Sequence, residues 1–222
     1  VVTTNPRNLF YNLHIKLHKN KKSLKNIKFK KGRNTKIHKS ALISNDCKIG
    51  NGVVIKENVV IGEGVTIQDN VFVDIGVVIG SEGILYKKDA SSISRIPHAG
   101  RVIIRKGATI LSNSVIVKSV HESQPTIIGE NNLIGISSNI GHDVNLGKNC
   151  VVSGNCVIAR GAKIGDNVFI GTSSFLREYV KVGKKAEIKV GSIVINDIKA
   201  GQSVSGNFAI DHRKNIKHYL KK

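Results

Sequence analysis

An aliphatic residue recurs at every sixth position through most of this chain, and no other feature of the sequence limits the fold as strongly. One run ends at Ile79 and the next begins at Ile104, so an insertion lies between them. Ile116 and Ile128 are two periods apart, and we expect the phase to continue through the weak stretch between them. The two runs consist of Ile37, Ile43, Ile49, Ile55, Ile61, Ile67, Val73 and Ile79, then Ile104, Ile110, Ile116, Ile128, Ile134, Ile140, Leu146, Val152, Ile158, Ile164, Ile170, Leu176, Val182, Ile188 and Val194.

Turn-forming residues occupy a constant place within each period. The third residue after the aliphatic position is usually Asn, Asp or Gly, the types that best tolerate a positive φ, and the fourth is small or Val. Each period therefore predicts a short strand followed by a tight corner. Three periods close a triangular coil of about 18 residues, and such coils stack about 4.8 Å apart. The pattern predicts an all-β solenoid, a parallel β-helix of hexapeptide repeats.

The cysteines and the absence of long apolar runs indicate the compartment. Cys47, Cys150 and Cys156 fall at the small fourth position, so we expect buried, inert thiols. Their odd number argues against a disulfide framework and fits a reducing cytoplasm. No apolar run approaches the roughly 18–20 residues of a membrane span, and residues 1–15 lack the apolar block of a signal peptide. We expect a soluble cytoplasmic protein without stable membrane insertion.

Basic charge is in large excess and lies mainly at the ends. The chain has 35 Lys and Arg against 15 Asp and Glu, a formal net charge of +20, and residues 1–36 contain no acidic residue. Such an excess favours a polyanionic partner, such as nucleic acid, a membrane surface or a phosphorylated ligand. Aromatic residues are not interleaved with the charges, as they are in single-strand readers. We therefore expect no nucleic-acid partner.

The repeat divides the chain into three parts. Residues 1–36 are predicted to be an N-terminal helix and a basic linker, residues 37–206 a β-helix domain, and residues 207–222 a C-terminal helix. The N-terminal helix is expected over residues 5–19, with Asn5 as its cap. Both helices are expected to cover the open ends of the solenoid, where strand edges would otherwise be unpaired. The apolar stripe of the first helix is Leu9, Phe10, Leu13 and Leu17.

Residues 80–103 form the insertion that interrupts the repeat. A loop of this length inside a regular solenoid is seldom a neutral connector, so we expect it to contact a substrate or another subunit. Its predicted substrate-binding residues are Ser81, Glu82, Tyr86, Arg95, His98 and Arg101.

His142 is a candidate catalytic base, and from its position alone the alternative is an idle surface histidine. It falls on a corner position that elsewhere carries outward polar residues, and a neutral imidazole there can take a proton near pH 7. The next residue, Asp143, occupies the turn position, which explains it better than a role in orienting the base. Arg160 lies 18 residues on and should sit on the adjacent coil. The histidines at 98, 121 and 142 lack the close pair of a zinc site, so no metal is expected.

Six segments, in order along the chain, point to a known family. They are NPRNLF (5–10), IHKSALI (37–43), VIGSEGILY (78–86), RIPHAGRVII (95–104), IGHDVNLG (140–147) and SVSGNFAIDHR (203–213). Together they resemble the UDP-3-O-acylglucosamine N-acyltransferases of lipid A synthesis and their shorter relatives, the nucleotide-amino-sugar N-acyltransferases.

The resemblance implies a left-handed β-helix that assembles as a homotrimer, with active sites between subunits. It implies an acyl thioester donor, carried by coenzyme A or by acyl carrier protein, and no permanently bound cofactor. The acceptor is the amino group of a nucleotide-linked sugar. His142 matches the catalytic histidine of the family, and the segments from Ser81 to Tyr86 and from Arg95 to Gly100 match its loop motifs.

Departures from the family pattern favour a small acyl group and coenzyme A. The uridine-binding domain of the lipid A enzymes is not visible, and Gly135 replaces an acidic residue. Tyr179 aligns with a second histidine, and Arg160 aligns with a glycine one coil above the base. The expected function is N-acyl transfer in surface glycan biosynthesis. The alternatives are the lipid A enzyme itself, using acyl carrier protein, and a non-catalytic β-helix scaffold or binding module. The predicted donor-binding residues are Arg160, Arg177, Lys189 and Arg213.

Overall fold

The computed structural model describes residues 5–19 and 30–206, together with Arg213 and Leu220. The helix predicted over 207–222 otherwise lies outside the described residues. Where the chain is described, it contains the helix α1 (Pro6–Lys19) and 27 short strands. Within that part of the chain, no helix combines the length and apolar character that crossing a membrane requires.

Most of the strands form three parallel sheets, here called A, B and C. Sheet A consists of β1 (Lys30–Lys31), β4 (Lys48–Ile49), β7 (Val65–Ile67), β12 (Val102–Ile104), β15 (Thr126–Ile128), β18 (Asn145–Leu146), β21 (Lys163–Ile164) and β24 (Lys181–Val182). Sheet B consists of β2 (Lys36–Ile37), β5 (Val54–Ile55), β8 (Phe72–Val73), β13 (Thr109–Ile110), β16 (Leu133–Ile134), β19 (Val151–Val152), β22 (Phe169–Ile170), β25 (Glu187–Ile188) and β27 (Ser203–Val204). Sheet C consists of β3 (Leu42–Ile43), β6 (Val60–Ile61), β9 (Val78–Ser81), β14 (Val115–Val117), β17 (Asn139–Ile140), β20 (Val157–Ile158), β23 (Phe175–Leu176) and β26 (Ile193–Val194).

The chain runs through sheets A, B and C in turn, and each strand pairs with the strand one coil away. In the regular coils the partners are 18 residues apart, as for Asn145 with Lys163. The repeated aliphatic residues point inward, and Ile134 and Ile140 are completely buried. The structure confirms the predicted left-handed parallel β-helix. Its first described strand, β1, precedes Ile37, where the sequence pattern starts.

The corners use the turn residues that the sequence predicts. Asn149, Asn155 and Asn167 all adopt φ between 56° and 58°, the left-handed region that Asn tolerates. Tyr179 also has a φ of 60°, although a bulky side chain is disfavoured there.

The phase is the same on both sides of the stretch between Ile116 and Ile128, as expected, but this stretch does not form a regular repeat. Strand β14 lies in sheet C and β15 lies in the next sheet, A, so the interval covers one side of the triangle instead of two. The extra residues form an enlarged turn over 118–125. Spacing alone does not reveal this turn, because an insertion of one full period leaves the phase unchanged.

The predicted insertion is confirmed and carries its own hairpin. Between β9 and β12, the strands β10 (Tyr86–Lys88) and β11 (Ile93–Arg95) pair antiparallel, with Tyr86 opposite Arg95. The hairpin belongs to none of the three parallel sheets.

Helix α1 packs on the insertion, and the face that it buries differs from the predicted apolar stripe. Asn5 caps it, because the Asn8 backbone amide donates to Asn5 Oδ1 at 3.0 Å. Among its described side chains, which do not include Leu17, Tyr11 and His14 are buried, whereas Phe10 and Leu13 are about half exposed. The His14 ring nitrogen Nε2 lies 2.8 Å from the Pro97 carbonyl oxygen in the insertion. Helix α1 therefore braces the loop instead of simply covering an end of the solenoid.

All three cysteines are buried, unpaired and part of the core, as predicted. Burial raises the pKa of the Cys47 thiol to about 12 and also raises the pKa values of Cys150 and Cys156. The thiols are therefore protonated at pH 8, and a protonated thiol is a poor nucleophile. We expect no reaction of the folded protein with a chromogenic disulfide reagent at pH 8, and reaction of three thiols in guanidinium. Rapid labelling of the folded protein would contradict the inward placement.

Candidate active site

The unusual features of the fold gather along one edge of the triangle, where strands of sheet C lead into strands of sheet A. On successive coils this C–A edge carries the insertion, the turn at 118–125, the turn containing His142, and the turn containing Arg160. Stacked coils lie about 4.8 Å apart. Segments distant in sequence therefore become neighbours at this edge.

His142 lies in the turn between β17 and β18 and is not part of the aliphatic core, as predicted. It is nevertheless only 7% exposed, because the insertion of its own chain covers it. A Cβ placed on Gly83 of the insertion would lie 3.4 Å from His142 Cδ2. The sequence predicted the corner position but not the cover, since the insertion starts far from His142 in the chain.

Asp143 serves both the turn and the base. Its φ of 61° confirms the turn role, and its Oδ2 lies 2.6 Å from His142 Nδ1. The second oxygen, Oδ1, accepts the Val120 backbone amide at 3.1 Å, which fixes the carboxylate. Because an ionised carboxylate can only accept, His142 Nδ1 carries the hydrogen and Nε2 keeps its lone pair. Such a pair can take up a proton at Nε2 while the carboxylate stabilises the imidazolium.

His98 lies beside His142 and is completely buried. The two ring centroids are 5.0 Å apart with an interplanar angle of 77°. Burial, and then the proximity of His142, lowers the pKa of His98 to about 4. His98 is therefore neutral at pH 7. Neither of its ring nitrogens has a hydrogen-bond partner among the described residues.

Glu82 holds the insertion together. Arg95 Nη2 donates to its Oε2 at 2.6 Å, and Lys118 Nζ lies 3.6 Å from Oε1. Burial opposes ionisation of Glu82, but Lys118, the His98 backbone amide and Arg95 outweigh it and lower the carboxyl pKa. The predicted substrate-binding residues Glu82 and Arg95 thus bind each other. Sequence reasoning missed Lys118, which lies in the stretch assigned to the regular repeat.

The other predicted loop residues occupy different surroundings. The Ser81 carbonyl oxygen accepts the Lys118 backbone amide at 2.9 Å. The Arg101 guanidinium donates to the Glu122 carbonyl oxygen at 3.0 Å and so ties the insertion to the turn at 118–125. Tyr86 is 45% exposed on the hairpin. It borders a groove of about 700 Å³ lined by Gly83, Ile84, Leu85, Tyr86, Lys88, Ile93 and Arg95.

The predicted donor-binding residues do not all meet. Arg160 is exposed on the coil next to His142, where the Gly161 amide donates to the His142 carbonyl at 2.9 Å. Its guanidinium lies 5.5 Å from the Tyr179 ring centroid. Arg177 is exposed one coil further along the same edge. Lys189 lies instead between β25 and β26, on the edge joining sheets B and C, and pairs with Glu187.

Arg213 is exposed, and its chain neighbours lie outside the described residues, so its relation to the C–A edge stays a prediction. Over the described ranges, no group of three or more His, Cys, Asp or Glu side chains is placed to bind a metal ion.

Family comparison supports the repeat. The bacterial transferase hexapeptide family (six repeats) matches residues 32–63 and 125–160, and the hexapeptide repeat of succinyl-transferase matches residues 161–195. The repeat of this chain is therefore similar to that of hexapeptide-repeat acyltransferases. Both family models describe repeats of transferases, which supports the prediction of an acyltransferase enzyme. A comparison with curated proteins gives no significant match.

Solved structures of bacterial acyltransferases share the fold. The UDP-N-acetylglucosamine O-acyltransferase of Moraxella catarrhalis superposes with a TM-score of 0.61 at 23% identity, over 85% of this chain and 77% of that one. The Campylobacter jejuni UDP-N-acetylglucosamine acyltransferase gives 0.62 at 24% identity, over 84% and 83%. The Francisella novicida enzyme gives 0.54 at 22% identity, over 86% and 73%. At these identities the likeness establishes the fold of this hexapeptide-repeat protein.

Proposed function

We propose that this protein is an N-acyltransferase that moves a short acyl group from acyl-CoA to the amino group of a nucleotide-linked sugar, in surface glycan biosynthesis in the cytoplasm. The observation that carries the proposal is the bonded pair of His142 and Asp143 beneath the insertion at the C–A edge. No other histidine among the described residues has a carboxylate within 3 Å of a ring nitrogen.

The reaction is a direct transfer. The acceptor amine attacks the thioester carbon, and His142 Nε2 takes the proton that the nitrogen loses as the C–N bond forms. Asp143 stabilises the resulting imidazolium. The C–S bond then breaks, and the imidazolium returns its proton to the departing thiolate. Backbone amides at a corner of the coil are the proposed donors to the oxyanion.

The groove on the hairpin is the proposed acceptor site. Its apolar wall, with Ile84, Tyr86 and Ile93, suits the ring faces of a nucleotide. Lys88 and Arg95 lie at the same groove and suit the charge of a diphosphate. The groove also reaches Gly83, next to His142. The structural neighbours are UDP-N-acetylglucosamine acyltransferases, which favours a nucleotide sugar as the acceptor class.

The arginines beyond His142 on the C–A edge are the proposed donor site. Arg160 and Arg177 are exposed on the two coils that follow the base. Coenzyme A carries a pyrophosphate and a 3′-phosphate, which guanidinium groups bind well. We propose a homotrimer in which a neighbouring subunit completes each site. The alternative donor, acyl carrier protein, would also suit a basic surface because it is acidic.

The test is a thiol-release screen of acyl-CoAs of increasing length against nucleotide amino sugars. We expect thiol release with a short acyl donor and an amino sugar, and no release with the matched sugar that has a hydroxyl in place of the amine. Release with the hydroxyl sugar would contradict N-transfer. Activity restricted to a hydroxyacyl carrier protein would establish the lipid A alternative. No thiol release with any donor would favour the non-catalytic scaffold.

A further inference from the structure

His98 is held firmly by its backbone, yet its ring nitrogens are unused. The residue before it, Pro97, offers its carbonyl oxygen to His14 of α1 at 2.8 Å. Its own backbone amide binds the Glu82 carboxylate, and Glu82 is held in turn by Arg95 and Lys118. The ring itself has no hydrogen-bond partner among the described residues at either nitrogen.

An unpartnered, fully buried imidazole destabilises a folded protein. Burying a polar group without a hydrogen bond costs about 1–3 kcal/mol in proteins, and an apolar side chain of similar volume would avoid this cost. The core of the β-helix is built from such apolar residues, and Ile96, two positions earlier, is completely buried. A histidine at this position therefore calls for a functional reason.

The two imidazoles both lie against Gly83. The position of a Cβ on Gly83 lies 3.5 Å from His98 Nε2, 3.4 Å from His142 Cδ2 and 3.1 Å from Val117 Cγ1. Cδ2 is the ring atom bonded to the Nε2 that acts as the base. A small ligand atom that takes the place of the Gly83 segment would contact both rings. Gly83 also lines the hairpin groove, so it forms the wall between the groove and the two histidines.

We propose that His98 is the second imidazole of the acceptor site, and that its Nε2 accepts a hydrogen bond from the amino group that His142 deprotonates. This inference rests on the proposed function. A neutral imidazole beside the base can hold one N–H of the amine, so that the amine lone pair is directed at the thioester carbon. The acceptor reaches the rings when the Gly83 segment moves aside, a movement that the absence of a side chain at Gly83 assists.

The electrostatics of the two histidines fits these separate roles, with His142 as the base and His98 as the hydrogen-bond acceptor. Because the pKa of His98 is about 4, it stays neutral when the neighbouring His142 becomes an imidazolium. The proton therefore remains on His142 for the leaving thiolate. Asp143 is bonded to His142 and not to His98, which matches the assignment of base and hydrogen-bond acceptor.

The experiment compares His98→Leu and His98→Gln with wild type in the thiol-release assay, with the acceptor concentration varied at saturating acyl-CoA. His98→Leu is expected to lose about 10- to 100-fold in kcat/KM for the acceptor, the range for one lost hydrogen bond in a buried site. Its KM for acyl-CoA should not change. His98→Gln keeps an acceptor atom and should recover most of the loss. The control is His121→Leu, an exposed histidine in the turn at 118–125.

Thermal stability distinguishes this role from a structural one. If His98 serves the acceptor alone, His98→Leu removes an unsatisfied polar group and keeps or raises the Tm. A lowered Tm together with an equal loss toward all substrates would assign His98 to the fold and overturn the proposal. Acceptor kinetics within twofold of wild type for His98→Leu would also overturn it.

A binding readout keeps the inference separate from the proposed reaction. Histidine side-chain NMR of the wild-type protein is recorded with a nucleotide amino sugar and without acyl-CoA. We expect the His98 Nε2 resonance to shift when the amino sugar binds. The matched deoxy sugar nucleotide, which has neither an amine nor a hydroxyl at that position, should cause no shift. If the protein releases no thiol with any donor, the proposed function fails, and this shift alone decides whether His98 binds the amine. No shift at saturating ligand would overturn the inference.

Discussion

Replacing His142 with alanine is expected to lower kcat by about 10²–10⁴-fold, the usual contribution of a positioned general base. The physical reason is that His142 Nε2 is the only base bonded through its ring to a fixed carboxylate at the C–A edge, as far as the described residues go. The measurement is steady-state thiol release at saturating donor and acceptor. Because the ring packs under the insertion and not in the aliphatic core, circular dichroism should show a folded β-helix.

The matched control for this variant is His121→Ala. His121 lies on the same edge and is exposed, and its Nδ1 lies 2.9 Å from the Ser123 hydroxyl and accepts the Ser123 backbone amide at 3.3 Å. We expect activity within about twofold of wild type, because a surface change of this kind leaves the site intact. A His142→Ala protein that keeps more than a tenth of the wild-type kcat would remove His142 from the mechanism.

Replacing Ile134 with alanine is expected to reduce the free energy of unfolding by about 2–5 kcal/mol. Ile134 is completely buried in β16, and its Cα partners are Ile110 in the coil below and Val152 in the coil above. The substitution leaves a cavity between coils that cannot collapse, because the hydrogen bonds of the parallel sheet hold the spacing. Urea denaturation followed by circular dichroism measures the change.

The chain offers a control two residues away. Ile136 lies at the next corner and is 53% exposed, so Ile136→Ala should change the free energy of unfolding by no more than about 0.5 kcal/mol. Equal losses from both substitutions would contradict the inward assignment of the repeated aliphatic position. A larger loss from Ile136→Ala would point to an interface that buries this corner.

Local rules were sufficient to predict the coil. The inward position of Ile134 and the left-handed turn at Asn155 follow from a period of six and from backbone sterics, which act within a few residues. The same rules located the insertion, because it breaks the phase. They failed at residues 118–125, where the added segment equals one period and leaves no trace in the spacing.

The site could be predicted only in part. Position in the repeat and family resemblance selected His142, and Asp143 was assigned to the turn because its turn role is visible in sequence and its bond to Nδ1 is not. Lys118 was missed. Lys189 was predicted to bind the donor, but it lies on a different edge of the triangle from His142. These outcomes depend on which corner of the coil each residue occupies.

The sequence by itself determined that this chain coils into a hexapeptide β-helix, because each repeat carries its own strand, turn and core residue. Only the tertiary structure decided that the insertion folds over His142 and brings His98 to it, with helix α1 bracing the loop from outside. The reason is physical. Strand and turn preferences act between near neighbours, whereas the placement of a long loop depends on ion pairs and contacts between residues far apart in the chain.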